Sequence, residues 1–301
     1  MDYSVRHHTT YRYLQEVSHS MHLLHLAPRA TDRQRVVETT IVVTPEPSTR
    51  VRRRDAFGNP TEWLTLDEPH VTLDIDARSW VVAAPAPLRD PRRSLPWGDV
   101  RSLLEAPQSA EEVEAIGFLF DSPLVRFSAD LAGYAAASFP AGRPAMEGAV
   151  DLMRRIHADF RYDTTVTDAT TPVDRVFEIR AGVCQDLALV AIACLRAIGL
   201  PARYVSGDLL TEPPPGQSRL LGADASHAWF AAWCPPFGWV ELDPTNDLLP
   251  GEGHVTVAWG RDYGDVAPIS GVVVGGGDHT IDVGVDVIPD MTLGGPASVR
   301  A

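Results

Sequence analysis

The sequence predicts an α+β protein, in which an all-β N-terminal domain is followed by a core with one long helix and several strands. Two β-rich segments lie within residues 1–84, and an apolar run with helical spacing follows Cys184. Two alternating segments lie around His227 and Trp239. The length of 301 residues also corresponds to about two domains of ordinary size.

The N-terminal β domain is assigned to residues 1–90. Residues 36–43 are rich in β-branched side chains and end just before Pro45, and residues 71–76 alternate between apolar and polar side chains. Residues 55–60 read Asp-Ala-Phe-Gly-Asn-Pro, which is typical of a turn. We therefore expect an antiparallel, sandwich-like β domain.

Three further segments follow the β domain. A linker and helical segment is expected over residues 91–145, because residues 84–99 contain four prolines and helical patterns begin near residue 109. The core is assigned to residues 146–250. Residues 251–301 are expected to complete the fold with β strands near 254–259, 271–274 and 281–287.

Cys184 lies where a glycine-bearing turn enters the predicted helix of the core. Residues 181–187 read Ala-Gly-Val-Cys-Gln-Asp-Leu, and apolar residues then recur at helical spacing until Gly199 and Pro201 end the pattern. A helix N-terminus has unpaired N–H groups and the positive end of the helix dipole, and both favour a thiolate over a thiol. Cys184 is therefore a candidate nucleophile.

Composition and charge exclude several classes of function. The net charge of −14 argues against binding to nucleic acid or to anionic membranes, both of which require a basic surface. The first residues have no apolar stretch typical of a signal peptide, and no run approaches the ~18 apolar residues of a membrane span. We therefore expect a soluble, cytoplasmic protein, and these features do not predict its oligomeric state.

No metal and no other cofactor is expected. The chain has three cysteines, too few and too widely spaced for a disulfide framework or a paired-cysteine zinc site. His19, His22 and His25 recur every three residues, but no cysteine accompanies them. They also lie in the β domain, away from Cys184, and are not interpreted as metal ligands.

Two downstream motifs supply the partners that a cysteine nucleophile needs. A thiol requires a base that takes its proton and later gives it to a leaving group, and histidine titrates near neutrality. A carboxylate or an amide then holds the imidazole in one tautomer. Because His227 and Asp243 follow in chain order, Cys184, His227 and Asp243 form a candidate catalytic triad.

The spacing of these two motifs makes a geometric prediction. His227 and Trp229 share one face of a strand, and Trp239 and Asp243 share one face of the next, because side chains alternate along a strand. If the connecting loop has five residues, Trp233 faces Trp239 and Asp243 faces Trp229. His227 then lies one diagonal step from Asp243 on the same face, whereas a four-residue loop would separate the two faces.

The motifs resemble those of the transglutaminase-like superfamily. Over roughly residues 150–250, the resemblance is carried by Gly182-Val-Cys184-Gln-Asp186, Asp224-Ala-Ser-His227-Ala-Trp229 and Trp239-Val-Glu-Leu-Asp243-Pro244. The N-terminal segment is similar to the β domain that precedes this core in many bacterial members. That similarity is carried by Tyr11-Arg-Tyr13, Leu26-Ala-Pro-Arg29 and Asp55-Ala-Phe-Gly-Asn59.

The resemblance implies a papain-like core, with the cysteine-bearing helix packed against an antiparallel sheet that bears the histidine and the aspartate. It implies that Cys184 is the nucleophile, His227 the base and acid, and Asp243 the orienting carboxylate. Part of the oxyanion would be held by the Cys184 N–H. Further oxyanion or substrate contacts are assigned, as candidates, to Gln185, Tyr162, Trp229 and Trp239.

Three functions are compatible with the sequence. The first is hydrolysis of amide bonds in a peptide or protein substrate, and the second is transfer of a glutamine acyl group to an amine, as in a transglutaminase. The third is a noncatalytic interaction module with a vestigial triad. Hydrolysis is favoured, because water is the default acceptor where no amine site is built. The chain contains no lysine, so it cannot donate ε-amines to cross-links of its own.

Overall fold

The protein contains thirteen strands and six α-helices within residues 1–211 and 225–289, which are the residues that the computed structural model describes. Asp224, at the start of the histidine motif, lies outside the described residues. The strands are β1 (Asp2–Leu24), β2 (Gln34–Thr44), β3 (Thr49–Arg54), β4 (Pro60–Leu66), β5 (His70–Ala83), β6 (Arg161–Tyr162), β7 (Ala181–Gly182), β8 (Ala202–Leu209), β9 (Ala225–Trp233), β10 (Trp239–Leu242), β11 (His254–Gly260), β12 (Ile269–Gly275) and β13 (His279–Pro289). The helices are α1 (Trp97–Glu105), α2 (Ala110–Ile116), α3 (Ala129–Ala136), α4 (Ala145–Asp159), α5 (Val173–Ile179) and α6 (Cys184–Ala197).

The β domain is organised around β1, which has a partner along each of its edges. On one edge, β5 pairs with the beginning of β1 and β4 with its end. On the other edge, β13 pairs with the beginning of β1 and β12 with its end. Register irregularities in β1 on both sides of Val17 let the sheet fold back on itself. Ile41 and Ile75 from one half consequently share a core with Leu64 and Leu66 from the other. The sandwich-like α+β fold class is confirmed.

The C-terminal strands are divided between the two parts of the molecule. β strands were expected to complete the fold over residues 251–301, and of the described strands there only β11 joins the sheet of the core, where it pairs with β8. β12 and β13 instead pair with β1 at the opposite end of the chain. The β pattern of these segments predicts strands but carries no information about so distant a partner.

The core consists of a four-stranded antiparallel sheet, with the order β10-β9-β8-β11, and the helix α6 packed against it. Nearly every residue of α6 is buried, and its side chains share a core with Tyr204 of β8 and Phe230 of β9. The helical patterns predicted to begin near residue 109 correspond to α2 and the helices α3 and α4 that follow it. The helix α1 begins inside the segment that was expected to be an extended linker. No helix within the described ranges is long and apolar enough to cross a membrane.

Two buried side-chain amides join the β domain to the edge strand β11. The Gln34 amide donates to the Thr256 carbonyl at 2.6 Å and accepts from the Thr256 N–H at 2.8 Å. Asn59 does the same at Trp259, with distances of 2.8 Å and 3.0 Å. Each amide completes the hydrogen bonds of an edge residue as a neighbouring strand would, and thereby holds the β domain against the core sheet.

Candidate active site

A buried carboxylate fixes the helix start at Cys184. Cys184 is the first residue of α6 and is partly exposed, whereas Asp186 is buried. Asp186 Oδ2 accepts hydrogen bonds from the Val183 N–H at 2.8 Å and from the Thr167 hydroxyl at 2.6 Å. A Cβ at Gly182 would lie 2.4 Å from that same oxygen. Glycine is therefore required at this position, because the Asp186 side chain packs directly against its backbone.

His227 and Asp243 are carried by a hairpin with the predicted register. β9 and β10 pair antiparallel so that Trp239 lies opposite Trp233, and residues 234–238 form the five-residue connection. This register places His227 and Asp243 on the same face of the hairpin. The two side chains are in direct contact, with His227 Nε2 2.7 Å from Asp243 Oδ2.

The Asp243 carboxylate is fully buried and accepts hydrogen bonds on both oxygens. Oδ2 accepts from His227 Nε2 at 2.7 Å, from Asn246 Nδ2 at 2.8 Å and from His254 Nε2 at 3.1 Å. Oδ1 accepts from the backbone N–H of Thr245 at 2.9 Å and from that of Asn246 at 3.3 Å. Burial alone raises the pKa of Asp243, but the hydrogen bonds from the two histidines outweigh it and hold that pKa well below its usual range.

His227 connects the carboxylate to the thiol. Burial alone lowers the pKa of His227, but its hydrogen bonds to Asp243 and Cys184 outweigh burial and raise the pKa to about 9. Because a carboxylate only accepts, Nε2 must carry the proton that it shares with Asp243. Nδ1 is then the ring nitrogen that can exchange a proton with Cys184. At neutral pH the arrangement favours a positively charged His227 beside the sulfur.

Cys184 and His227 open onto a cavity of about 440 Å³ between the core and the β domain. Val183, Gln185, Tyr204 and Ser206 are among the residues that line it from the core. The opposite wall is formed by His7, Thr9 and Tyr11 of β1 and by Ile281 and Val283 of β13. The β domain is thus part of the site.

Gln185 and Tyr162 lie beside Cys184. Gln185 lines the cavity, and its side-chain amide donates to the Ala169 carbonyl at 3.2 Å. Tyr162 is about half-exposed on β6, and its pKa is raised first by partial burial and then by the negative charge of a Cys184 thiolate. Tyr162, unlike Gln185, is not among the residues that line the cavity, and an oxyanion or substrate role for either residue stays a prediction.

Trp229 and Trp239 do not line this cavity, which corrects the expectation that they contact the substrate there. Trp229 is fully buried, its ring centroid lies 6.0 Å from that of His227, and its Nε1 donates to Glu241 at 3.3 Å. Trp239 packs against the guanidinium of Arg203, 4.3 Å from its ring centroid, and lines a different cavity. Trp229 is thus buried and Trp239 partly buried on this face of the hairpin, and the two indoles support the site by packing.

His254 and Asn246 belong to the site although neither was among the predicted site residues. Asn246 follows the Asp243 motif closely, and its position two residues beyond Pro244 is the one sequence signal for it. His254, at the start of β11, reaches Asp243 although two strands lie between β11 and β10 in the core sheet. Such non-local placement has no signature in the local pattern of residues 254–259.

Among the described residues, His227, Asp243 and His254 form a cluster of side chains that could bind a metal ion. Their ligand atoms lie within 4.8 Å of one another. The carboxylate oxygen is, however, already shared by three N–H donors at 2.7–3.1 Å. The donor set therefore fits a hydrogen-bond network that holds His227.

The three evenly spaced histidines of β1 and the following loop have separate surroundings. His19 contacts Asp67 at 2.8 Å, and His25 contacts Asp55 at 3.3 Å. His22 is buried, and burial lowers its pKa to about 4. Their ring nitrogens do not converge on a common point in the described structure.

Comparisons with known proteins place these features in a family. A model of the bacterial transglutaminase-like N-terminal region matches residues 3–82, and a model of the transglutaminase-like superfamily matches residues 134–244. Uncharacterised proteins of Mycobacterium bovis and Mycobacterium tuberculosis are 41% identical over 295 residues, covering 95% of this chain and 92% of their own. The chain belongs to the transglutaminase-like superfamily.

Two further comparisons concern a curated transglutaminase and a solved structure. The protein-glutamine gamma-glutamyltransferase of Pseudomonas aeruginosa is 36% identical over 102 residues, which are 33% of this chain and 15% of that protein. The solved structure of a candidate cysteine protease from Cytophaga hutchinsonii has a TM-score of 0.75 at 23% identity, and the match covers 96% of this chain and 91% of that one. The likeness of fold to that structure therefore extends over nearly the whole chain.

Proposed function

We propose that the protein is a cysteine-dependent enzyme that hydrolyses amide bonds in a peptide or protein substrate. The observation that carries the proposal is the position of His227, hydrogen-bonded to Asp243 and to Cys184 at the edge of a cavity. A histidine between a buried carboxylate and a thiol is the arrangement that nucleophilic catalysis with proton transfer requires. Membership in the transglutaminase-like superfamily supports the same class of chemistry.

The first step forms a thioester. Cys184 Sγ, whose proton resides on His227, attacks the carbonyl carbon of the amide. The carbonyl oxygen becomes an oxyanion against the Cys184 N–H, which lacks an intrahelical partner at the first position of α6. The C–N bond then breaks, His227 gives its proton to the departing amine, and the acyl group remains on Sγ.

The second step releases the acid. His227, now neutral, takes a proton from a water molecule, whose oxygen attacks the thioester carbon. The C–S bond breaks, the substrate leaves with a new carboxyl group, and the thiolate is again paired with protonated His227. Asp243 keeps the imidazole in one orientation throughout, because its contact to Nε2 is not used in the proton transfers.

A second candidate function is transfer of the acyl group to an amine. The similarity to the Pseudomonas aeruginosa gamma-glutamyltransferase over about a third of this chain favours it. The thioester is common to both reactions, which differ only in whether water or an amine attacks it. Hydrolysis is preferred here because water needs no binding site of its own.

The test is incubation of the full chain with a peptide and isopeptide library, with and without an added primary amine, followed by mass analysis of the products. Hydrolysis yields free carboxyl products without the amine, whereas a transferase yields amine conjugates only when it is present. Cys184→Ala must abolish both. Product formation by Cys184→Ala at the wild-type rate would rule out the mechanism, and a lack of any product together with an unreactive Cys184 would favour the noncatalytic interaction module.

A further inference from the structure

One face of the β1–β13 strand pair continues out of the domain interface and into the cavity of the nucleophile. Along this face, β13 presents Val287, Val285, Val283 and Ile281 in turn, because alternate residues of a strand share a face. β1 presents the paired residues, of which Thr9 lies opposite Val283 and Tyr11 lies opposite Ile281. We call Thr9, Tyr11, Ile281 and Val283 the β-domain strip.

The exposure of these side chains changes abruptly along the face. Val287 and Val285 are 0% and 2% exposed, because they pack with Tyr3, Val5 and Val255 in the contact between the β domain and the core. The next two residues on the face, Val283 and Ile281, are 50% and 52% exposed. The face thus carries two further aliphatic side chains, Val283 and Ile281, beyond the contact between the β domain and the core. Adjoining apolar groups left open beside a cavity are typical of a ligand-binding surface.

The strip faces Cys184 across a space whose described lining contains no carboxylate, lysine or arginine. Val283, Ile281, Thr9 and Tyr11 all line the cavity that contains Cys184 and His227. Among the described residues that line it, none is an aspartate, glutamate, lysine or arginine, although the chain as a whole carries a net charge of −14. A charged substrate side chain on the strip would therefore lose its hydration without gaining an oppositely charged partner there, because His227 is already hydrogen-bonded to Cys184 and Asp243.

The same surface extends away from the nucleophile. A second cavity, of about 350 Å³, shares Tyr11 and Ile269 with the first and is lined further along by Tyr13 and His279. Tyr13 lies opposite His279 in the β1–β13 pairing. The four residue steps from Val283 to His279 span about 13 Å, at about 3.3 Å for each residue of a strand. This length suits an extended peptide segment better than a single small molecule.

We propose that the β-domain strip is the binding surface for the acyl donor, and that it selects a polypeptide with an aliphatic or aromatic side chain next to the reactive carbonyl. This inference rests on the proposed function, because it assumes that Cys184 attacks the donor. The β domain then supplies substrate selection, and the core supplies the reacting groups. Binding energy from a neighbouring side chain would orient the carbonyl over Sγ and so raise the rate of acylation.

The probes for the test are peptidyl chloromethyl ketones that carry Phe, Leu, Ser, Glu or Arg in either of the two positions before the ketone. The Cys184 thiolate displaces chloride and forms a thioether, so the second-order rate is read by mass spectrometry of the intact chain. In the wild-type protein we expect the Phe and Leu probes to react at least about tenfold faster than the Glu and Arg probes. Free iodoacetamide, which has no side chain to select, reports the reactivity of Cys184 alone.

The decisive variant is Ile281→Glu, with Ile288→Glu as its matched control. Ile288 lies on the same strand and is 42% exposed, but it points to the opposite face. Ile281→Glu is expected to reduce the advantage of the Phe and Leu probes at least about tenfold and to favour the Arg probe, whereas Ile288→Glu keeps the wild-type order. If Ile281→Glu does not fold, Val283→Gln takes its place, with the same loss of apolar preference expected.

Three outcomes would overturn the inference. The five side chains could give equal rates with the wild-type chain in both positions of the probes, or Ile281→Glu could behave like Ile288→Glu. Sedimentation could also show a wild-type dimer that Ile281→Glu dissociates, in which case the strip is an interface between copies of the chain. In each of these cases rapid labelling of Cys184 by iodoacetamide would leave the proposed function intact, whereas its absence would count against the proposed function itself.

Discussion

His227 Nε2 lies 2.7 Å from Asp243 Oδ2, across a hairpin whose five-residue loop sets the register. The odd loop length places both side chains on the same face of the hairpin. The Asp243 side chain is also fully buried, with 0% of its surface exposed. A buried carboxylate with several N–H donors stays ionised and cannot rotate away from the histidine. The geometry of this pair leads to the following predictions.

The charge of His227 predicts how stability and activity depend on pH. Because the pKa of His227 is raised from 6.5 to about 9 in the folded protein, its contribution to stability is fully present below pH 6.5 and is lost as the pH rises through about 9. Activity should decline over the same range, since the leaving amine loses its proton donor. Urea unfolding between pH 6 and 10, with His227→Gln as the reference, measures the first effect. Equal pH dependence in both proteins would contradict it.

Replacement of Asp243 by asparagine should leave only a small part of the activity. An asparagine can present its carbonyl oxygen to His227, but its NH2 group then faces the backbone N–H groups of Thr245 and Asn246. We expect kcat to fall by roughly 10²–10⁴-fold and the pKa of His227 to fall with the loss of the negative charge. Steady-state kinetics and NMR titration of His227 provide the two readouts. Wild-type kcat in Asp243→Asn would show that the carboxylate is not needed.

His254 should act as a positioning residue. His254→Phe removes the donor that lies 3.1 Å from Asp243 Oδ2 and leaves Cys184 and the cavity lining unchanged. The carboxylate then becomes more basic, so the pKa of His227 should rise above its wild-type value. The alkaline limb of the pH–activity profile should consequently move to higher pH. We also expect kcat to fall by roughly 10- to 100-fold at unchanged KM. A variant with lower stability but an unshifted pH profile would indicate a merely structural role.

Gly182→Ala should disturb the start of α6. The added Cβ would lie 2.4 Å from Asp186 Oδ2, so the carboxylate must leave Val183 and Thr167. We expect the free energy of unfolding to fall by about 1–3 kcal/mol and the alkylation of Cys184 to slow.

Gly133→Ala is the matched control for this substitution. Gly133 lies in α3 and has no atom within 4 Å of the added Cβ, so the change should raise stability by about 0.5–1 kcal/mol. Chemical denaturation of both variants checks the pair of predictions. The same change in the free energy of unfolding in Gly182→Ala and Gly133→Ala would show that the contact between residue 182 and Asp186 does not determine the effect.

Features set by local spacing were predictable from the sequence. The start of α6 at Cys184 follows from a glycine-bearing turn before an apolar helical run. The contact between His227 and Asp243 follows from the alternation of side chains and the length of one loop. Both depend only on residues close together along the chain.

Features set by long-range pairing were not predictable. Val283 enters the cavity because β13 pairs with the first strand of the chain, and His254 of β11 contacts Asp243 across two intervening strands of the core sheet. Trp229 belongs to the histidine motif and was therefore a candidate substrate contact. Its ring is instead buried beside His227 by the side chains that cover that face. Which face of a strand stays open depends on what packs against it, and a strand pattern does not specify its partner.

The most direct test of the proposed chemistry is alkylation by iodoacetamide at pH 6, mapped to individual cysteines by mass spectrometry. Cys194 and Cys234 are buried, and burial raises the pKa of each to about 12, so both should stay unmodified in the folded protein. Cys184, beside a protonated His227, should react rapidly, with activity lost in parallel and with slower labelling in His227→Gln. Slow and equal labelling of all three cysteines would contradict the assignment of Cys184 as the nucleophile.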